Sequence, residues 1–336
     1  MKTHALSSLF LTGLLLWGCG KPVPPESLKP DITDGGYKIT ARFQTQGFAQ
    51  DVAVTGNFAY IAQGEGGLLI ADINDKKNPV LKSVTTENVR GYSSKIAVKD
   101  SVVYLAAGTF GITVINVSDK SNPQVTASNL SVKPAKNLYV LDNYLFTSIS
   151  EKGVKISEIS YPVYPDIRGN ISTSGYARSC IATSDTNYLL IATGEMGLSI
   201  VNISNFQNGF GNYPQVGFCN TPGYAEDIKI DNSRHLAYLA CGTAGVQIVD
   251  FSDVQNPYVA GNFDTHGYAK ELFYENNKIY VTCEKSGLKI IDVNNTSKPK
   301  LTGQIDTGYA LGIDADQNYI YVADEKEGLI IIAKPG

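Results

Sequence analysis

The chain has a single tryptophan, two methionines and three histidines in 336 residues, and only 18% of its residues are charged. So few histidines, with no Cys-x-x-Cys pair, leave no ligand set for a zinc site. No Lys/Arg cluster marks a nucleic-acid surface, and the net charge of −4 is mildly acidic. No Gly-x-Ser-x-Gly elbow offers a hydrolase nucleophile. No window of the main body has helical periodicity, which excludes a helical or α/β architecture. Expected metals and cofactors are therefore none.

Cysteine is sparse as well. Apart from Cys19 there are Cys180, Cys219, Cys241 and Cys283. An exported protein could pair them. However, Cys241 and Cys283 recur at one position of successive sequence units, and equivalent atoms in neighbouring units lie beyond the roughly 7 Å Cα limit for a bridge. Free, buried thiols are expected.

What the chain has in abundance is a repeated phrase. It runs Gly-Tyr-Ala, a strand, Ala-x-Gly-x-x-Gly, an aliphatic strand ending in Asp or Asn, then Asn-Pro. Its third residue recurs at Ala49, Ser93, Ala135, Ala177, Ala225, Ala269 and Ala310, at spacings of 41 to 48 residues. Lys133-Pro134 replaces Gly-Tyr in the third copy, and an insertion near Asn205–Tyr213 lengthens the fourth. In the first copy the strand-like runs are Asp51–Val54, Phe58–Ala62, Leu68–Ile73 and Val80–Thr85, with Gly, Asn, Asp and Pro between them. The third run is nearly continuous apolar, so cover on both its faces is expected. Seven four-stranded antiparallel units of this period predict an all-β, seven-bladed propeller. The last copy stops after its third strand. Residues 37–45 resemble residues 299–307, so an N-terminal strand is expected to complete the C-terminal blade and close the ring.

Ahead of the propeller, residues 1–18 have the layout of a signal peptide. Leu16-Trp17-Gly18-Cys19 resembles a bacterial lipobox, with Cys19 as the lipidated residue. Residues 19–36 are Pro-rich and read as an extended tether of about 3.1 Å per residue, leaving the propeller at 37–336. The expectation is a lipoprotein of the cell envelope, at the bacterial outer membrane, on its periplasmic or surface side. The lipid would supply the membrane affinity.

The aliphatic third strands, such as Leu198-Ser199-Ile200-Val201-Asn202 and Val246-Gln247-Ile248-Val249-Asp250, resemble the LVIVD repeat. That resemblance covers Phe43 to Ala333 and implies a β-propeller of a bacterial or archaeal exported or surface protein. It implies no catalytic residue. Val154-Lys155-Ile156-Ser157-Glu158 departs from the pattern, so an irregular third blade is expected.

In a propeller, the loop entering the innermost strand and the loop between the second and third strands emerge on one face. Phe48, Tyr92, Tyr176, Tyr224, Tyr268 and Tyr309 would ring that face. They suit either packing on neighbouring loops or stacking on a ligand. Two residues past each register position, Asp51, Lys95, Asn137, Ser179, Asp227, Glu271 and Gly312 should face the channel mouth. The residues just before them include Lys136, Arg178, Glu226 and Lys270. Mixed charge with exposed aromatics fits a binding or scaffolding module for a protein or peptide. A glycan-binding propeller using the Tyr ring is the first alternative. A hydrolase or lyase using the mouth carboxylates is the second. The Gly-x-x-Gly turns have no helix behind them and read as hairpins that need positive φ, not as phosphate loops.

Overall fold

The computed structural model describes residues 34–209 and 211–336. The segment read as signal peptide and most of the tether, including Cys19, lies outside the described residues. Seven antiparallel four-stranded sheets are formed. Six are continuous in sequence. The first consists of Asp51–Thr55, Phe58–Ala62, Leu68–Asp72 and Val80–Thr85. The innermost strands of blades 2 to 7 are Lys95–Lys99, Asn137–Leu141, Ser179–Ala182, Asp227–Asp231, Glu271–Glu275 and Ala310–Ala315. Each inner strand touches its predecessor, and Ala310–Ala315 touches Asp51–Thr55, so the ring is closed.

The closing strand is Lys38–Phe43, which pairs with Gly328–Ala333 from Lys38 opposite Ala333 to Phe43 opposite Leu329. It copies even the irregularity of a fourth strand. In blades 1 to 6 the register shifts once between third and fourth strands, for example at Ile70/Ala71 and Ile290/Ile291. The N-terminal strand shifts between Ile39 and Ala41. Such a bulge bends the outer strand.

The third strands are buried along almost their full length because blades cover both their faces. Each core layer lies between two blades. One joins Leu190, Leu198 and Ile200 of blade 4 to Ile228, Leu239 and Val249 of blade 5. The four cysteines among the described residues, Cys180, Cys219, Cys241 and Cys283, are buried, unbridged thiols.

The expected irregularity of blade 3 is not found in its sheet. Asn137–Leu141, Tyr144–Ser148, Val154–Glu158 and Asp166–Ile171 pair in order, with the usual single shift at Ile156/Ser157. Val154 and Ile156 remain buried in the departing segment, and that is enough to hold the strand. The irregularity sits in the preceding loop, where a short 3-10 turn, Leu130–Val132, leads into the Lys133-Pro134 that replaces Gly-Tyr. The blade 4 insertion forms a second such turn, Phe206–Asn208. Buried Phe206 packs on Tyr144 and Phe146 of blade 3, with ring centroids 4.9 and 5.6 Å away.

Candidate binding face at the channel mouth

The Gly-Tyr-Ala phrase fastens each blade to the one before. Backbone bridges join Gly64 to Ser93, Gly108 to Ala135, Ser150 to Ala177, Gly194 to Ala225, Gly242 to Ala269 and Glu284 to Ala310. The first residue of each Gly-x-x-Gly turn is left-handed, Gly64 at φ 60° and Gly108 at φ 54°. It offers its amide and carbonyl to the next blade's phrase. The two loops therefore do share one face.

The aromatic ring is partly structural. A Cβ placed on Gly64 would lie 2.7 Å from the Tyr92 ring, and Gly194 and Gly242 meet Tyr224 and Tyr268 in the same way. The Tyr268 hydroxyl donates to Glu226 at 2.8 Å, and that of Tyr309 to Glu284 at 2.7 Å. Tyr224 lies under the Arg178 guanidinium, 5.6 Å from ring centroid to carbon. Phe48, Tyr92 and Tyr176 stay 59, 44 and 48% exposed, as do Phe110 and Met196 of the neighbouring turns at 44 and 40%.

Strand alternation turns every second residue of the inner strands to the channel. Asp51, Lys95, Asp227 and Glu271 meet there as one cluster with Lys229. Lys95 donates to Glu271 and lies 3.8 Å from Asp51. Lys229 donates to Asp227 at 2.9 Å, and so does Ser179, at 2.7 Å. Asp51 also accepts from the Val52 and Ile96 amides, and Asp227 from the Leu272 amide. Three carboxylates thus face two ammoniums. Burial, then the charge of Asp51, pushes Glu271 up to about 8, so this carboxyl keeps a proton at neutral pH. Burial also raises Asp51, against Lys95 and its two amides. Burial opposes ionisation of Asp227, but Lys229 and Lys95 outweigh it and hold this group below the usual range. Below the cluster, burial pushes Asp314 up to about 6. Asp314 accepts from the Val54 amide across the closing seam, at 2.7 Å.

Above this cluster lies a cavity of about 340 Å³, lined by Gln50, Ser94, Lys95, Lys136, Arg178 and Lys270 among others. Glu226 stands beside it. It accepts from Arg178 Nε at 2.9 Å and lies 3.4 Å from Lys270. Burial disfavours its charge, but Lys270 and Arg178 overcome that and hold it below the usual range. Of the site residues read from sequence, Tyr92, Lys95, Lys136 and Arg178 line this basin. Asp51, Asp227 and Glu271 form its floor, Tyr224 and Tyr268 flank it, and Phe48, Tyr176 and Tyr309 lie further round the rim. Lys270, named from the sequence beside Lys136 and Arg178, lines the basin too, whereas Lys229 was missing from that reading. Lys229 was findable, because it lies two residues along the same strand from Asp227.

A comparison with curated protein sequences finds no match. Among solved structures, the computationally designed Ika8 protein aligns with a TM-score of 0.59 at 9% identity, over 88% of this chain and 100% of that one, which bears on the fold alone. The LVIVD-repeat family model matches residues 46–86, 90–130, 174–207, 222–265, 266–307 and 308–332, skipping the third blade. With matches over more than half of its length, the chain belongs to the LVIVD-repeat family.

Proposed function

We propose that this propeller is a binding or scaffolding module for a protein or peptide, working through the face that holds the Gly-Tyr-Ala and Gly-x-x-Gly loops. A lipid on Cys19 would hold it at the cell-envelope membrane. The carrying observation is the combination on one face of a charged basin with exposed Phe48, Tyr92, Phe110, Tyr176 and Met196. Aromatic and Met side chains around a polar depression are the composition of a recognition surface. The mouth carboxylates are engaged with Lys95, Lys229 and backbone amides, which favours a structural floor over acid–base chemistry.

Photo-crosslinking residues placed at Tyr92 and Tyr176, in cells, test this reading. The expected result is one discrete protein adduct from these positions and none from Tyr258, an exposed residue on an outer strand. Equal labelling from all three positions would refute it. Replacing Cys19 by Ser should move the protein from the membrane to the soluble fraction, and failure of the wild type to take up labelled lipid would remove the anchor. Glycan binding is favoured only by the open faces of Tyr92 and Tyr176, and hits on a glycan array that vanish in a Tyr92→Ala, Tyr176→Ala double variant would support it instead.

A further inference from the structure

The degenerate third copy opens the basin. In blades 2, 5 and 6 the tyrosine of the phrase covers the first turn glycine of the preceding blade, as Tyr92 covers Gly64. In blade 3 that place is held by Pro134, and a Cβ on Gly108 would meet nothing within 4 Å. Gly108, Ala135 and Lys136 consequently line the cavity. A missing ring has left a hole on one side of a nearly symmetric rim.

The charges at that hole do not balance. Lys95 is engaged below with Asp51 and Glu271. Arg178 and Lys270 share the one carboxylate of Glu226. Lys136 has no carboxylate within 4.0 Å among the described residues, although burial and the neighbouring Arg178 both disfavour its charge. Three cations thus share one buried carboxylate in a concave, half-buried place, with the exposed Glu151 acting on Lys136 from outside it. Fixed positive charge held under partial desolvation stores an attraction that an anion would collect. Arg178 gives Nε and Nη2 to Glu226, and the outer edge of its planar guanidinium is suited to a second carboxylate. The apolar rim at Tyr92 and Phe110 favours an anion carried on a chain with side chains to bury.

We infer that the gap left by Pro134 is a carboxylate subsite, in which Lys136, Arg178 and Lys270 receive an acidic side chain or the C-terminal carboxylate of a bound peptide. This rests on reading the loop-bearing face as the binding face, and it names the chemistry of the partner.

The test is calorimetric titration of the full chain with N-acetyl-Glu-Glu-Phe as the free acid, with its amide, with N-acetyl-Gln-Gln-Phe amide, and with inorganic phosphate. Either or both acidic forms should bind, and the difference between acid and amide tells the terminal carboxylate from the side chains. Binding should weaken with salt. It should fall about tenfold or more in Lys136→Gln, equivalent to one charge-assisted contact of about 1.4 kcal/mol. Because Lys136 has no ion pair to lose, this variant should keep its melting temperature. A Lys133→Gly, Pro134→Tyr variant, which restores the family phrase, should fold and lose binding by covering Gly108. Equal binding of the Gln amide, phosphate binding tighter than any peptide, or no binding of the acidic peptides would each overturn the inference. A crosslinked partner recovered in the last case would leave the broader binding role standing.

Discussion

Lys95 of blade 2 donates to Glu271 of blade 6, with blades 7 and 1 between them on the shorter way round the ring. The contact spans the channel mouth and joins residues 176 positions apart in sequence. Removing one partner of a buried ionic group strands the other, whereas removing both is far less costly. Lys95→Met should therefore destabilise the propeller by about 3–5 kcal/mol in urea unfolding at pH 7, because it strands Asp51 and takes the hydrogen-bond donor from the protonated Glu271. Adding Glu271→Leu should recover part of that loss. If the double variant is less stable than Lys95→Met alone, the two residues are not coupled as described.

The same cluster sets a pH dependence. An unfolded glutamate releases its proton near 4.5, whereas Glu271 in the fold keeps it to about 8. Between these values the folded state binds the extra proton, so stability is fully present below 4.5 and falls as pH rises towards 8. Asp314, held up to about 6, adds the same trend at the lower end. The depressed groups Glu226 and Asp227 act oppositely, but their contribution is lost only as pH falls through the acid range. Denaturant midpoints from pH 5.5 to 8 should thus decline in the wild type and flatten in Glu271→Gln. An identical slope in both would place the proton elsewhere.

Much of this was legible in the sequence because packing repeats. A period of 41 to 48 residues with two-sided apolar third strands fixes the blade, and residues 37–45 matched residues 299–307 closely enough to locate the closing strand. Strand alternation placed Asp51, Lys95, Asp227 and Glu271 at the mouth. It could not say that Lys95 meets Glu271, because that pairing comes from curvature of the whole ring and not from local spacing. The Lys133-Pro134 departure was visible too, but the sheet absorbed it, and the loop alone registers the missing tyrosine. Phe206 was hidden inside an insertion, where three aromatics in an Asn/Gly-rich stretch were the available signal.

The fourth strands carry a second kind of blade-to-blade contact. A Cβ on Gly261 in blade 5 would sit 1.9 Å from the Thr296 carbonyl oxygen of blade 6. Blade 1 has Ser83 in this register, and there the side chain itself donates to the Lys120 carbonyl of blade 2 at 2.7 Å. Gly261→Ala should force the loop after Asp292 away and cost about 1–3 kcal/mol by overpacking, whereas Ser83→Ala should cost about 1 kcal/mol, the worth of one hydrogen bond. Chemical denaturation of the two variants side by side checks the order. A neutral Gly261→Ala would mean that the blades are not seated this closely.

Ring closure makes the most severe prediction. Without Lys38–Phe43, the strand Gly328–Ala333 would present an unpaired edge whose core, Leu329, Ile330, Ile331 and Ile332, is entirely apolar. Such an edge recruits other chains. A chain starting at Gln46 should therefore lose the cooperative unfolding of the parent and elute from size exclusion as oligomers or aggregate. A synthetic peptide spanning residues 37–45 should restore a monomer in a dose-dependent way, because it supplies the Phe43–Leu329 to Lys38–Ala333 register. Moving that segment to the C-terminus, after Gly336, should also restore it, since the third and fourth strands of the other blades are joined by comparable turns, as from Asp292 to Lys300. A monomeric truncated chain with an unchanged melting temperature would show that this strand does not hold the ring shut.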